Sequence, residues 1–126
     1  MAEEKPKKIL IVEDAPEVLM ILENFLRVHG FEVQTALDAY QGLDRIESDM
    51  PDLILLDVRM PGMDGYQFCE KIKTDEKYKH VPIIIVSVKC SPEDVKKGID
   101  KGASAYIPKP FDPDEVIAKV KELLSQ

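Results

Sequence analysis

The chain has 126 residues, of which 44% are apolar and 33% charged, and its formal net charge at pH 7 is −7. This length suits one domain with a sizeable core, and the composition excludes a disordered chain. The acidic balance disfavours nucleic acid as a partner, because binding phosphates requires a basic surface. No apolar run approaches membrane-spanning or signal-peptide length, so we expect a cytoplasmic protein with no membrane partner.

The first half of the chain alternates between runs of strand length and amphipathic stretches of helix length. The strand KILIV (8–12) lacks polar alternation, which indicates burial on both faces. A helix that ends at Gly30 follows it, and the next strand (31–35) alternates as an edge strand does. A weaker helix is predicted over 38–48, and the strand DLILL then leads into a short helix, YQFCEKIKT.

The second half continues this alternation. The charged connection KTDEKYKH is expected to be a solvated loop before the very hydrophobic strand at 81–87. Ser91 followed by Pro-Glu-Asp predicts a helix start, and Gly102 ends that helix. A short strand, SAYI, precedes the last helix, which begins near Asp112. Five strands alternating with five helices predict an α/β fold with a parallel sheet covered on both faces.

We expect a single domain over residues 1–126, with a core at about 8–125 and a charged lead at 1–7. No repeat or linker divides the chain. Cys69 and Cys90 match no metal or redox spacing, so we expect two reduced thiols.

Polar side chains follow four of the five predicted strands. They are Glu13 and Asp14 after the first strand, Asp57 after the third, Ser87 at the end of the fourth and Lys109 after the fifth. Parallel strands bring these ends to one edge of the sheet. Two carboxylates about 4 Å apart repel by about 4 kcal/mol at an effective dielectric of 20, so three acids need more than one lysine as counterion. An oxygen-seeking cation such as Mg²⁺ fits this need.

Each of these residues also has a simpler explanation. Asp14 could cap the first helix, Glu13 could be a solvated acid, and Asp57 could open the turn that follows it. Ser87 could be an ordinary strand-end hydroxyl, and Lys109 could be a solvent-exposed charge. Their convergence at one edge favours the functional interpretation.

Four stretches of the chain carry a resemblance to a known family. The stretches ILIVEDA, DLILLDVRMPGMDG, PIIIVS and GASAYIPKPF are similar to the receiver domain of two-component response regulators, and the match runs from Lys8 to the last helix. The resemblance implies a doubly wound, flavodoxin-like receiver fold. The strand order 2-1-3-4-5 comes from the resemblance alone.

The resemblance assigns the central role to Asp57. It implies that Asp57 accepts a phosphoryl group from a sensor histidine kinase or a phosphotransfer protein, as in a phosphorelay. Asp14, Asp57 and the main-chain carbonyl of Arg59 would bind Mg²⁺, or alternatively Mn²⁺, and Glu13 would orient a water on the metal. The protein would be a regulatory phosphoacceptor that catalyses only its own phosphorylation and dephosphorylation, not an enzyme in the usual sense.

Other residues receive supporting roles by the same resemblance. Lys109 would offset charge on the transferring group, and the Lys109–Pro110 bond is expected to be cis. Ser87 would donate to a phosphoryl oxygen, and Tyr106 would turn inward with it. These changes would alter the face formed by helix 4, strand 5 and helix 5, which acts on a downstream protein or an output domain.

Three positions are expected to set the rates of phosphorylation and dephosphorylation. Val88 follows Ser87 where the family has a very small residue, so it would slow access of phosphodonors or water. Arg59 and Lys89 occupy positions that tune dephosphorylation in the family, and both are basic here. In the simpler explanation these two cations lie in solvent.

Three other functions fit the sequence less well. A hydrolase with an aspartyl nucleophile commonly has a second acid two residues on, after the first strand, and VEDAPEV lacks this arrangement. A flavin-binding module requires a neutral phosphate cradle there, whereas this chain has two acids. A receiver-like interaction module that is never phosphorylated would typically lack Asp57, Asp14 or Lys109, and all three are present.

Overall fold

The computed structural model describes residues 5–125, so most of the predicted charged lead, residues 1–4, lies outside the described residues. The strands are β1 (Lys8–Val12), β2 (Glu32–Ala36), β3 (Leu53–Leu56), β4 (Ile83–Ser87) and β5 (Ala105–Pro108). The helices are α1 (Pro16–Val28), α2 (Ala39–Ser48), α3 (Gly65–Lys73), α4 (Pro92–Asp100) and α5 (Pro113–Leu124). This alternation confirms the predicted elements.

The five strands form one parallel sheet in the order β2-β1-β3-β4-β5, which confirms the predicted fold and places β2 at an edge. Val12 of β1 lies beside Leu56 of β3 in the register, and the Asp57 amide donates to the Val12 carbonyl at 3.0 Å. Glu13 and Asp57 therefore leave the sheet next to each other. The strand order reverses direction at this point, where ligands of such sheets bind.

The core has two layers, one on each face of the sheet. Alternate strand residues such as Leu10, Ile54 and Ile85 pack in one layer, while their neighbours Ile11 and Leu55 pack in the other. Both sets are buried, which is why these strands show no polar alternation. None of the helices in residues 5–125 combines the length and the apolar character that a membrane crossing requires.

Helix caps decide one of the open questions about Asp14. Ser91 and Asp64 cap α4 and α3 with reciprocal side-chain and backbone hydrogen bonds, and Asp112 caps α5. Helix α1 instead has Ala15 as its N-cap and no side-chain cap bond. The capping explanation of Asp14 is therefore wrong, and its carboxylate is available for another role.

The connection after α3 is largely solvated, as predicted: within residues 73–80 only Lys73 and Tyr78 are partly buried, and the others are exposed. Tyr78 packs against the core, and the Lys73 ammonium donates to the carbonyls of Lys79 at 3.1 Å and Val81 at 2.5 Å.

Strand β4 begins two residues later than predicted. Pro82 precedes the strand, and only its carbonyl joins the ladder, where it accepts from the Ile54 amide. Both thiols are free, as expected.

Gly65, the first residue of α3, lies against the backbone that carries Asp57. A Cβ at this position would be 2.5 Å from the Asp57 carbonyl oxygen and 2.6 Å from the Val58 Cα. Alanine normally stabilises a helix by about 1 kcal/mol relative to glycine. Here we expect Gly65→Ala to lower the free energy of unfolding by about 2 kcal/mol, since backbone must move to admit the methyl group. Urea unfolding measures this change.

Gly42→Ala in α2 is the matched control. Its Cβ would meet only side-chain atoms of Phe68 and Val12, at 3.1 Å, and those side chains can shift. We expect a smaller loss for this variant. Unchanged or increased stability of Gly65→Ala would contradict the close packing between α3 and the Asp57 backbone.

Candidate functional site

Three carboxylates meet at the carboxyl edge of the sheet. One oxygen from each of Glu13, Asp14 and Asp57 lies within 4.8 Å of the other two. Glu13 and Asp57 are buried, at 2% and 7% exposure, while Asp14 is exposed. The parallel register of β1 and β3 brings two of these acids together, and the end of β1 adds the third. The prediction that these three acids lie together is confirmed.

Lys109 supplies positive charge to the two buried acids. Its ammonium lies 2.6 Å from Glu13 Oε1 and 3.5 Å from Asp57 Oδ2, and the side chain is largely buried. The Lys109 amide donates to the Ser87 carbonyl at 2.9 Å, which ties the segment after β5 to the end of β4. The Lys109–Pro110 peptide bond is cis, as the resemblance implied.

Burial raises the pKa of Glu13, and this effect outweighs the hydrogen bond from Lys109, which lowers it. A second contact also favours the ionised form: the Ala15 amide donates to Glu13 Oε2 at 3.1 Å. The nearby Asp57 charge acts in the opposite direction. Ionising Glu13 in the folded protein therefore costs free energy, and additional positive charge nearby would lower that free-energy cost.

The donor set fits a hard divalent cation. With all three acids ionised, three negative charges face one ammonium, and two further positive charges would make the site neutral. Carboxylate oxygens are ligands that Mg²⁺ prefers, and it retains waters and accepts a phosphate oxygen. The Arg59 amide lies 3.4 Å from Asp57 Oδ1, so this backbone borders the cluster. Its carbonyl as a metal ligand stays a prediction.

Ser87 and its neighbours line the end of β4. Ser87 is fully buried, and its hydroxyl accepts a hydrogen bond from the Lys89 amide at 3.1 Å. A hydroxyl that accepts one bond can still donate another, so this contact leaves Ser87 able to act as a donor. Val88 is 52% exposed, and the side chains of Arg59 and Lys89 are exposed. No contact assigns those three side chains a role.

Tyr106 lies half-buried between the β4–α4 segment and α3. Its hydroxyl donates to the Lys89 carbonyl and lies 3.2 Å from the hydroxyl of Tyr66. Burial, and after it the hydrogen bond with Tyr66, raises the pKa of Tyr106, which keeps its proton at neutral pH. Sequence reasoning missed Tyr66 and the Lys89 carbonyl. Nothing in the linear pattern of an α3 tyrosine indicates a partner forty residues away.

The ion pair at Lys109 generates a pH-dependent prediction. Lys109→Met should lower the free energy of unfolding in EDTA by about 3 kcal/mol at pH 8, since one member of a buried pair is left uncompensated. Without Lys109 the pKa of Glu13 rises further, and protonation of Glu13 then relieves the unpaired charge. The loss should therefore be small near the ordinary glutamate value of 4.5 and grow as pH rises above it.

Lys119→Met controls for loss of a lysine. Its ion pair with Glu122 is exposed, so we expect a change below about 1 kcal/mol at either pH. Urea unfolding at several pH values measures both variants. A loss in Lys109→Met that does not vary with pH would contradict the role of Lys109 as counterion to buried carboxylates.

Comparison with known proteins agrees with this geometry. Residues 9–121 match the family described as response regulator receiver domain. Response regulator PleD of Caulobacter vibrioides is 38% identical over 116 residues, which is 92% of this chain and 26% of PleD. The transcriptional regulator RpaA of Synechocystis is 34% identical over 117 residues, 93% of this chain and 48% of RpaA. The chain thus spans half or less of the length of these relatives.

Solved structures extend the likeness to the whole fold. A CheY-like receiver domain protein from Methanospirillum hungatei superposes with a TM-score of 0.88 at 34% identity, covering 95% of this chain and 94% of that chain. Chemotaxis protein CheY4 of Vibrio cholerae has a TM-score of 0.88 at 30% identity, covering 94% and 98%. Receiver domains are regulatory and act in two-component signalling. The chain belongs to the response regulator receiver domain family.

Proposed function

We propose that this chain is a signalling switch that accepts a phosphoryl group on Asp57 with the help of Mg²⁺. The observation that carries the proposal is the position of Asp57. It is a buried carboxylate at the carboxyl edge of the sheet, with one oxygen 3.5 Å from the Lys109 ammonium and with an oxygen of each of two further acids within 4.8 Å. An acid held in this way is fixed in position, and Lys109 offsets part of its charge.

The acidic cluster is assigned to the metal. Asp14 and Asp57 would hold Mg²⁺ (or Mn²⁺) directly, with the Arg59 carbonyl, and Glu13 would hold a water on it. When bound, the ion supplies positive charge to the oxygens of the transferring group. The exposed position of Asp14 leaves this side of the cluster open to solvent, from which the ion would enter.

Asp57 acts as the nucleophile in this proposal. One carboxylate oxygen forms a bond to phosphorus, and the bond from phosphorus to a histidine nitrogen of the donor breaks. The electron pair of that bond returns to the imidazole. Lys109 would then contact the phosphoryl oxygens, since its ammonium already lies between Glu13 and Asp57. The Ser87 hydroxyl would donate to another phosphoryl oxygen.

The output of the switch is assigned to α4, β5 and α5. Ser87 and Tyr106 both contact the backbone of Lys89, so a change at one is felt at the other. We assign the donor to a sensor histidine kinase or phosphotransfer protein, and the target to a downstream protein or output domain in the cytoplasm. Residues 8–125 are proposed to act as one receiver domain, since the five strands form one sheet and α5 packs in a core cluster with them.

Three exposed residues are proposed to set the rates. Val88 stands next to Ser87 and would restrict access of small donors and water, while Arg59 and Lys89 would hold the phosphoryl group or obstruct the attacking water. Decay of the labelled protein in Val88→Ala, Arg59→Ala and Lys89→Ala separates these roles. Decay rates equal to wild type in all three would reject the assignment.

The proposal is tested by following intact mass with a small acyl phosphate and Mg²⁺. We expect one phosphoryl group to be added to the wild-type protein, and none to be added to Asp57→Asn or in the presence of EDTA. The matched control is Asp44→Asn, which removes an exposed acid on α2 and should label as wild type does.

Three outcomes would contradict the proposal. Labelling of Asp57→Asn at another residue would show that the nucleophile is misassigned. Sustained release of inorganic phosphate from a broad set of phosphate esters would favour the hydrolase alternative. Absence of labelling under all conditions would favour a receiver-like module that is never phosphorylated.

A further inference from the structure

Helix α4 is held to the rest of the protein by few contacts. Gly98 is its one buried residue, whereas α3 buries five. Tyr106 and Ile85 pack directly on Gly98, where an added Cβ would lie 2.9 Å from atoms of both side chains. Because so little apolar surface fixes α4, a small number of polar contacts decides how firmly it is held.

Tyr66 of α3 supplies two of those contacts. It is a buried tyrosine whose hydroxyl donates to the Asp94 carbonyl, in the first turn of α4, at 3.1 Å. The Lys97 ammonium lies 4.6 Å from the centre of the Tyr66 ring, a distance at which a cation is attracted to the ring face. Tyr66 therefore joins α3 to two successive turns of α4.

The same Tyr66 hydroxyl also contacts Tyr106. The two phenolic oxygens are 3.2 Å apart, and the Tyr106 proton is directed to the Lys89 carbonyl. Each hydroxyl has one proton, so two protons are available for three contacts. These are Tyr66 with the Asp94 carbonyl, Tyr66 with Tyr106, and Tyr106 with the Lys89 carbonyl. The Asp94 carbonyl and the Tyr106 oxygen are consequently both acceptors within reach of the Tyr66 proton.

These contacts connect α4 to the end of β4. Lys89, whose carbonyl accepts from Tyr106, also donates its amide to the Ser87 hydroxyl at 3.1 Å. A displacement of this backbone alters where Tyr106 can lie. Departure of Tyr106 would in turn leave the Tyr66 proton entirely to Asp94.

We propose that Tyr66 is a positioning residue that transmits the position of Tyr106 to α4. Its hydroxyl holds the first turn of α4, and Tyr106 competes for the proton that does so. With Tyr106 inward the hydrogen bond from Tyr66 to the Asp94 carbonyl is weakened, and with Tyr106 withdrawn that bond is strengthened. The inference rests on the proposed function, because it names a transmission step within that switch.

Amide hydrogen exchange in the metal-free protein, followed by NMR, tests this assignment. Tyr66→Phe keeps the ring and removes the donor, so exchange within Pro92–Asp100 should accelerate about fivefold, the equivalent of one net hydrogen bond of about 1 kcal/mol. Tyr106→Phe should not accelerate it, since Tyr66 then donates to Asp94 alone. In the Tyr106→Phe background, Tyr66→Phe should have an effect at least as large as in wild type.

Two controls separate this role from general loosening. Exchange in α5 should be unchanged in every variant, and Tyr78→Phe removes a hydroxyl at the opposite edge of the sheet and should leave α4 unchanged. Addition of beryllofluoride with Mg²⁺, a phosphoryl mimic, should change α4 exchange in wild type and change it less in Tyr66→Phe.

The assignment would be overturned by exchange in α4 of Tyr66→Phe within twofold of wild type. It would equally be overturned if Tyr106→Phe accelerated α4 as much as Tyr66→Phe does, or if the response to beryllofluoride were undiminished in Tyr66→Phe. These amide-exchange measurements do not depend on labelling of Asp57. Failure of wild type to bind beryllofluoride would instead contradict the proposed function, while the metal-free arms would still decide the role of Tyr66.

Discussion

The interaction on which this structure depends is the contact of one ammonium with two buried carboxylates. Lys109 lies 2.6 Å from Glu13 and 3.5 Å from Asp57, and neither acid can reach bulk water freely. Uncompensated charge in such a place is costly, and burial raises the pKa of Glu13 in spite of the lysine. The single ammonium therefore neutralises two ionised acids only in part, and with three ionised acids two negative charges remain uncompensated. This deficit of positive charge is the basis of the proposed cation site.

The parallel sheet brings these strand-end residues together. Strands β1, β3 and β4 are buried on both faces, so their apolar residues fix the register, and the first polar residue after each strand must lie at the same edge. The core thus fixes where the backbone of Glu13, Asp57 and Ser87 lies, and the side chains of the two acids then meet Lys109. Gly65 allows α3 to begin directly against the Asp57 backbone, which restricts how that acid can move.

Most of this could be predicted from the sequence, because the signals are local. Strand-length apolar runs, the helix starts at Ser91 and Asp112, and acids at strand ends each depend on a few adjacent residues. The strand order required the family resemblance. Contacts between distant residues were not predictable, as Tyr66 with Tyr106 illustrates, since the spacing of the two tyrosines indicates nothing about which hydroxyl meets which. The capping alternative for Asp14 failed for a related reason. The local sequence permits a cap, but the Asp14 carboxylate lies with those of Glu13 and Asp57, and Asp57 is distant in sequence.

The central claim is that the strand-end acids form a cation site that lacks positive charge, and a Mg²⁺ titration of unfolding stability tests it most directly. We predict that Mg²⁺ at 100 times its dissociation constant raises the free energy of unfolding of wild type by about 2.7 kcal/mol. Asp14→Asn, which removes one like charge and one ligand, should be more stable than wild type in EDTA and should gain much less from Mg²⁺. Equal gains in the two proteins, or no gain in wild type, would contradict the account.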